Sequence, residues 1–533
     1  MVSAAVLLSR LTGLVREMVM ARLFGAGKAY DAFLVGFRIP NLTRDLFAEG
    51  ALSSAFVPIF TRVLHNRGKR EAAELSNLVA TALFVIVGAF CVLGMVFSPQ
   101  LVRLLASGFA EVPGKYELAV SLTRVMFPFL LLVALAAQAM GILNASNRFA
   151  IPALSSTFFN IGSVVAGLAL GFWLGPRLGI DPIFGMAYGV VIGGALQWIG
   201  QAPSLVRAGF FYRPRFDWAH PELREVLRLM TPAILGNAAV QINVMVNTKF
   251  ASAITNAAGQ VIDGPVSWLS CAFRFMQLPL GLFGVAIASA TLPAISRSAA
   301  ARNLEEFRST LSRSLGMVFL LTIPSSVGLI LLGEPMIGAI YQHGKFHAYD
   351  TTQTARALAC YAIGLAGYSA LKVLTPAFYA LGDARTPMII SLASIAINYV
   401  TALTMVEYAQ LGHAGLALST SVVALFGFGA QLILIRRRLG GIHGRELAAS
   451  TGRILLASAV MAAGVWVSHT ALERSLGTGT LARLIDLAVS VSLGVAILAV
   501  ICKFLGVSEV DAAWSILARR LIGRQAPGSQ SQC

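Results

Sequence analysis

Apolar runs long enough to cross a bilayer follow one another from end to end of the chain, separated by short polar loops. A membrane helix needs about 20 mostly apolar residues. By that measure the pattern predicts spans near 2–25, 30–63, 74–98, 116–144, 151–174, 182–207, 224–253, 265–296, 306–333, 351–381, 386–408, 413–435, 447–471 and 480–504. The expected fold class is an all-α polytopic membrane protein of about 14 transmembrane helices. Composition agrees: 57% of the 533 residues are hydrophobic and only 12% charged, against about 25% charged in a soluble domain.

The loops fix an orientation. One alternate set, containing HNRGKR (65–70), RAGFFYRPR (207–215) and RRRLGGIHGR (436–445), carries about three times the Lys and Arg of the other set, which makes it the cytoplasmic one. Both termini are then cytoplasmic, and the polar, basic segment 507–533 is expected to be a disordered cytoplasmic tail. The net charge of +17 follows from this loop bias and does not call for nucleic acid. No cleavable signal sequence is evident, because the first apolar segment runs on without a small-residue cleavage site.

A repeat is visible in the spans. Pro58-x-x-Thr61-Arg62 recurs as Pro293-x-x-Ser296-Arg297, 235 residues on, and Arg148-x-x-x-Pro152 is echoed by Arg385-x-Pro387 at nearly the same offset. Six spans per unit is an even number, so both units enter the membrane in one direction. The expected domains are an N-lobe over 1–215, a C-lobe over 216–440, and an additional helix pair over 441–506. Such a parallel repeat places a substrate site between its halves.

The first two spans are unusually charged. LLSRLTGLVREMVMARLFGAG (7–27) holds Arg10, Arg16, Glu17 and Arg22, although a charge at mid-bilayer costs on the order of 3 kcal/mol. Arg22 is near enough to the outer end to snorkel, which leaves Arg10 and Arg16 as cavity candidates, with Gly13 as a hinge. In the second span Asp31, Arg38, Asp45 and Glu49 share one helical face; Arg44 lies off that stripe, and Pro40 is a second hinge candidate. Arg274 and Lys372 supply cations in the other half. The cations outnumber the acids near mid-membrane, and the guanidinium fork suits phosphate or carboxylate. An amphiphile bearing those groups is the expected ligand.

Other signals are structural. Gly185, Gly189 and Gly193, four apart, form a close-packing helix face; Gly25-x-Gly27-Lys28 lacks the rest of a phosphate loop and is a turn. Asn237, Gln241, Asn243 and Asn247 either line a cavity or bond a neighbouring helix. The five cysteines are dispersed, and His343 and His347 have no third ligand nearby, so neither a metal nor a cofactor is expected. No catalytic constellation stands in the polar segments, and an enzyme is not expected.

The run GAGKAYDAFLVGFRIPNLTRDLFAEGALSSAFVPIF (25–60) resembles the signature of the MurJ (MviN) family of lipid II flippases, in the MOP superfamily of exporters. The resemblance continues through NASNRFAIPA (144–153), TPAILG (231–236), the segment around Arg274, YQHGKF (341–346) and LKVLTPAFYALGDARTP (371–387). It implies two six-helix lobes around a central cavity and a final helix pair forming a groove for a polyprenyl tail. The implied activity is flipping of the peptidoglycan precursor lipid II across the bacterial cytoplasmic (inner) membrane by alternating access. The implied cavity residues are Arg10, Arg16, Asp31, Arg44 and Arg274, with Glu49 and Gly13 in the same motifs. Phe273 and Gln277 stand where relatives can place acids, and the eleventh span has none; the energy source is thus open between membrane potential and an ion. Partners would be lipid II, membrane lipids and cell-wall synthesis proteins. The alternatives are a flippase for another polyprenyl-linked glycan, a cation-coupled drug exporter of the superfamily, and a non-transporting membrane scaffold.

Overall fold

The computed structural model describes residues 2–44, 52–507 and 509–510. Among the described residues the chain is helical apart from its connecting loops and a single β-bridge between Thr255 and Val261. It divides into two compact units, one of Met1–Trp268 with Tyr341–Asp350 and the other of Leu269–Ile340 with Thr351–Cys533.

The first unit begins with α1 (Val2–Phe24), α2 (Lys28–Arg44), α3 (Ser53–Asn66), α4 (Lys69–Val96) and α5 (Ser98–Leu105). It continues with α6 (Lys115–Met126), α7 (Phe129–Ala145), α8 (Ala150–Leu168), α9 (Gly175–Leu178), α10 (Pro182–Ile199), α11 (Ala202–Ala208) and α12 (Pro221–Ser252). α8 packs on α1 and α10, and α2 packs on α6. The α8–α10 contact is as close as the glycine spacing predicts. A Cβ on Gly189 would lie 2.5 Å from the Ser163 carbonyl oxygen, and one on Gly193 2.7 Å from that of Phe159. α12 packs on α3, α4 and α5.

Helix α13 (Pro265–Pro279) leads out of this unit. The second contains α14 (Ala286–Ala300), α15 (Leu304–Tyr341), α16 (Ala348–Ile363), α17 (Leu365–Ala380), α18 (Arg385–Leu403), α19 (Gly412–Leu439), α20 (Gly444–Leu476) and α21 (Thr480–Phe504). Its core gathers Phe307, Leu315, Leu374, Phe378, Ile435 and Ile454. The tenth span, predicted as one helix, is instead two, α16 and α17, bent by 43°. Gly364 sits at the bend; its N–H donates to Ser421 Oγ at 3.0 Å, and a Cβ there would meet Ser421 Cα at 2.6 Å.

Among the described residues ten helices are long and apolar enough to cross a membrane, or eleven if the bent pair counts as one span. The predicted spans that this criterion passes over are the first, second and seventh. They are the charged α1, the α2–α3 segment, and α12 with Gln241, Asn243 and Asn247 along it. Local structure also repeats at the offset seen in the sequence. α4 and α15 start at Lys69 and Leu304, and α8 and α18 at Ala150 and Arg385. The last two each run into a π-helical turn, Ala169–Leu174 and Thr404–Tyr408. Each pair lies 235 residues apart, and Pro58 and Pro293 are both inside helices, α3 and α14. The predicted tail lies largely outside the described residues.

Candidate functional site

The charged first helix ends in a turn whose glycine is required. Gly25 has φ +62° and donates its N–H to Ala21 at 2.8 Å, closing α1 with a left-handed residue. The motif YQHGKF lies against it: Lys345 N–H donates to the Arg22 carbonyl at 3.0 Å. Approach is close from both sides. A Cβ on Gly25 would stand 2.3 Å from the Lys345 carbonyl oxygen, and one on Gly344, also at positive φ (+63°), 2.3 Å from that of Arg22. Tyr341 Oη donates to Glu17 Oε2 at 3.3 Å. Two of the motifs that carry the family resemblance thus meet here.

One turn further on, Asp31 is enclosed, with 0% of its surface exposed. Its oxygens take donors from the buried Lys115 at the head of α6 (2.9 Å), from the backbone N–H groups of Gly264 (2.8 Å) and Ser267 (2.9 Å), and from Ser267 Oγ (2.6 Å). Lys115 also donates to Asp263 at 2.7 Å and lies 4.3 Å from the centre of the Phe109 ring. A buried cation between two carboxylates, one of them further hydrogen-bonded and the other partly open to solvent, meets the condition under which charge can be tolerated away from water. In this arrangement Asp31 is held by protein donors, tying α2 and α6 to the 263–267 segment. The sequence reading missed Lys115. It stands just before an apolar run, where a lysine reads as an ordinary interfacial anchor, and its partner is 84 positions away.

The other predicted residues are placed as follows. Arg10 is exposed on α1. Arg16 is half-buried, its guanidinium 5.0 Å from the Phe159 ring centre and 5.7 Å from that of Phe37, within reach of cation–π attraction to both rings. Arg38 donates to Thr248 Oγ1 on α12 at 2.6 Å, so Asp31 and Arg38, seven residues apart on one face of α2, both turn toward α12 and the segment after it. Arg44 is half-buried at the end of α2; Asp45 and Glu49 lie outside the described residues. Helix α1 is continuous through Gly13, and Asn160 packs there. The Asn160 amide donates to Ser9 O at 3.1 Å and to Thr12 Oγ1 at 3.3 Å, so the missing side chain gives room to α8. Pro40 is buried within α2, which runs on to Arg44. In the second unit Arg274 is half-buried on α13 and Lys372 exposed on α17.

A second charged group stands where α3 ends and α12 begins. Arg67 bridges Glu222 at 2.5 Å and Glu71 at 3.7 Å, Arg62 pairs with Glu225, and Arg215 reaches Glu74 at 3.0 Å. Arg67, Glu71, Glu74 and Glu222 border an open cleft of about 280 Å³. Burial pushes the Glu222 carboxyl upward, but its own backbone N–H and Arg67 outweigh this and hold it below the usual carboxylate range.

Repeated helical units, many apolar spans and guanidinium groups set on the first two helices define a polytopic helical transporter. Solved structures agree. One described as "Lipid II flippase MurJ, inward closed conformation" is similar with a TM-score of 0.76 and 25% identity, over 95% of this chain and 99% of that one. An inward-facing MATE transporter of the MOP superfamily shares the fold at a TM-score of 0.68 and 16% identity, over 81% of this chain and 94% of that one. The family model "Lipid II flippase MurJ" matches residues 20–487. The chain is 35% identical to the "Lipid II flippase MurJ" of Burkholderia cenocepacia, covering 83% of each chain. It is 33% identical to the "Probable lipid II flippase MurJ" of Vibrio cholerae, covering 96% of each. The chain belongs to the lipid II flippase MurJ family.

Proposed function

We propose that this protein flips lipid II from the inner to the outer leaflet of the bacterial cytoplasmic membrane by alternating access, with both termini cytoplasmic. The observation that carries the reading is the family match over residues 20–487. The chemistry of the chain supports it. Lipid II presents a pyrophosphate and peptide carboxylates, and Arg10, Arg16, Arg44 and Arg274 offer the planar donors that such groups bind in pairs of hydrogen bonds. Glu49 belongs with them in the same motif, and Arg38 and Lys372 are secondary cations. Asp31 acts by holding α2 in place, and Gly13 and Pro40 mark where the first two helices bend during the cycle.

In this reading the six-helix repeats over 1–215 and 216–440 alternate, and the 441–506 pair keeps the polyprenyl tail in lipid while the headgroup crosses. Cell-wall synthesis proteins deliver and receive the precursor. The test is growth of bacteria depleted of their own lipid II flippase. Expression of this chain sustains growth and cell shape; lysis despite stable membrane insertion, in a host with the same precursor, contradicts the proposal.

A further inference from the structure

Helices α20 and α21 lie outside the repeat, and the role given to them above uses only their apolar surfaces. Yet about two turns, or roughly 10 Å, from the ends they share at the 477–479 link, a line of polar side chains joins them. Asp486 is 4% exposed. Its Oδ2 lies 2.7 Å from His469 Nδ1, and its Oδ1 accepts from the buried Ser490 Oγ at 2.9 Å. Ser468 Oγ is 3.0 Å from Ser490 Oγ. On the other side of the ring, His469 Nε2 is 3.8 Å from Oε2 of Glu473, a carboxylate 50% exposed. The line therefore runs from an open acid, through an imidazole, to a buried acid and two hydroxyls. Around it the helices are apolar: Leu332, Met461 and Val465 are buried, and Trp466, Leu484 and Ile485 are exposed.

Two helices can be held in register by hydroxyl pairs such as Ser468–Ser490 without placing ionisable groups in an apolar span, where they are costly. A histidine with one nitrogen on a buried carboxylate and the other facing a second carboxylate does something a register lock does not need. With Nδ1–H donated to Asp486, the Nε2 lone pair faces Glu473. A proton delivered by water forms the Nε2–H bond as a hydronium O–H bond breaks, leaving an imidazolium between two carboxylates. The three groups then carry one negative charge in place of two.

We propose that His469, Asp486 and Glu473 form a proton-binding site, loaded from the aqueous face at the 477–479 link, whose occupancy clamps α20 to α21. The imidazolium–carboxylate pair across the helices adds Coulomb attraction that the hydrogen bond from a neutral imidazole to the same carboxylate lacks, so acidification of that face tightens the pair. The other charged groups toward the link end of the packed elements are Arg474 on α20, Arg483 on α21 and Glu334 on α15; Arg445, Glu446, Arg453 and Lys503 lie toward the opposite ends of α20 and α21, and Glu305, Glu306, Arg308 and Arg313 toward that of α15. Arg474 is exposed, Arg483 lies over Gly338 of α15, and Glu334 accepts from Thr352 Oγ1 at 3.0 Å. The consequence for transport rests on the flippase reading: the tail-holding pair closes when protonated and opens when not.

The test is the spin-label distance between Ser475→Cys and Leu484→Cys in the full chain, with the five native cysteines replaced, in vesicles titrated across about pH 5–8, where imidazole changes charge. The distribution narrows on acidification in the otherwise unaltered chain, and this response is lost in His469→Gln. Glu473→Gln, at a half-exposed position, weakens the response because it removes the second carboxylate beside the imidazolium. A pH-independent distance, or an unchanged response in His469→Gln or Glu473→Gln, overturns the proposal. Outer-leaflet lipid II measured alongside separates the two claims. A clamp that responds to pH in a chain that delivers no lipid II leaves the proton site standing and defeats the flippase reading.

Discussion

Lys115 Nζ lies 2.9 Å from Asp31 Oδ2, both side chains 1% exposed, and this pair draws α2, α6 and the 263–267 segment to one point. It explains how a helix with as many polar positions as α2 keeps one position: Asp31 is held by protein donors, and Arg38 is tethered to Thr248 through one of its N–H groups.

Removing one partner of a buried pair leaves the other charge uncompensated, at a cost of roughly 3–5 kcal/mol. Lys115→Met therefore lowers the thermal unfolding midpoint in detergent well below that of the unaltered chain. Adding Asp31→Asn restores part of the loss, because the stranded carboxylate is then neutral. Two additive losses would mean that the pair contributes no coupling.

Gly25→Ala meets two penalties, the positive φ and a Cβ 2.3 Å from the Lys345 carbonyl oxygen. At Gly68 φ is +88° and ψ 179° but a Cβ meets nothing within 4 Å, so Gly68→Ala pays only the backbone cost of that conformation, about 1–3 kcal/mol. The thermal midpoint should fall markedly further for Gly25→Ala than for Gly68→Ala. Equal losses would show that the 341–346 motif does not press on the α1 turn.

Glu222 has a folded-state pKa below its ordinary value of 4.5. Its contribution is therefore complete above pH 4.5 and is lost as pH falls through the lower folded value. Hydrogen exchange at the start of α12 should be flat from pH 8 to 5, after correction for the intrinsic rate, and rise below that. Glu222→Gln should abolish the rise; a rise that persists in the variant assigns it to another group.

Much of this architecture is legible in the sequence, because what fixes it is local. The runs behind α4, α15 and α21 announce themselves by length, and the 235-residue repeat and the Gly185–Gly189–Gly193 face by spacing. What is hidden depends on groups far apart in the chain. Nothing near Lys115 marks it as the partner of Asp31 and Asp263, and nothing near Gly364 tells that Ser421 will take its N–H and bend the span. Among the candidate site residues, charge in an apolar helix singled out Arg16 and Arg38. Their partners, Phe159 and Thr248, come from α8 and α12, and no pattern within the first two helices points to them.

The central claim is that guanidinium groups of the first helices carry the lipid II headgroup across. The most direct measurement is the amount of lipid II reachable on the outer face of cells depleted of their own flippase and expressing this chain, Arg44→Ala or Arg44→Lys, each checked for insertion. The chain should restore exposure, and both variants should lose most of it, lysine included, because a point charge cannot replace a fork that grips two oxygens. Full exposure with Arg44→Lys and Arg44→Ala alike would contradict the account.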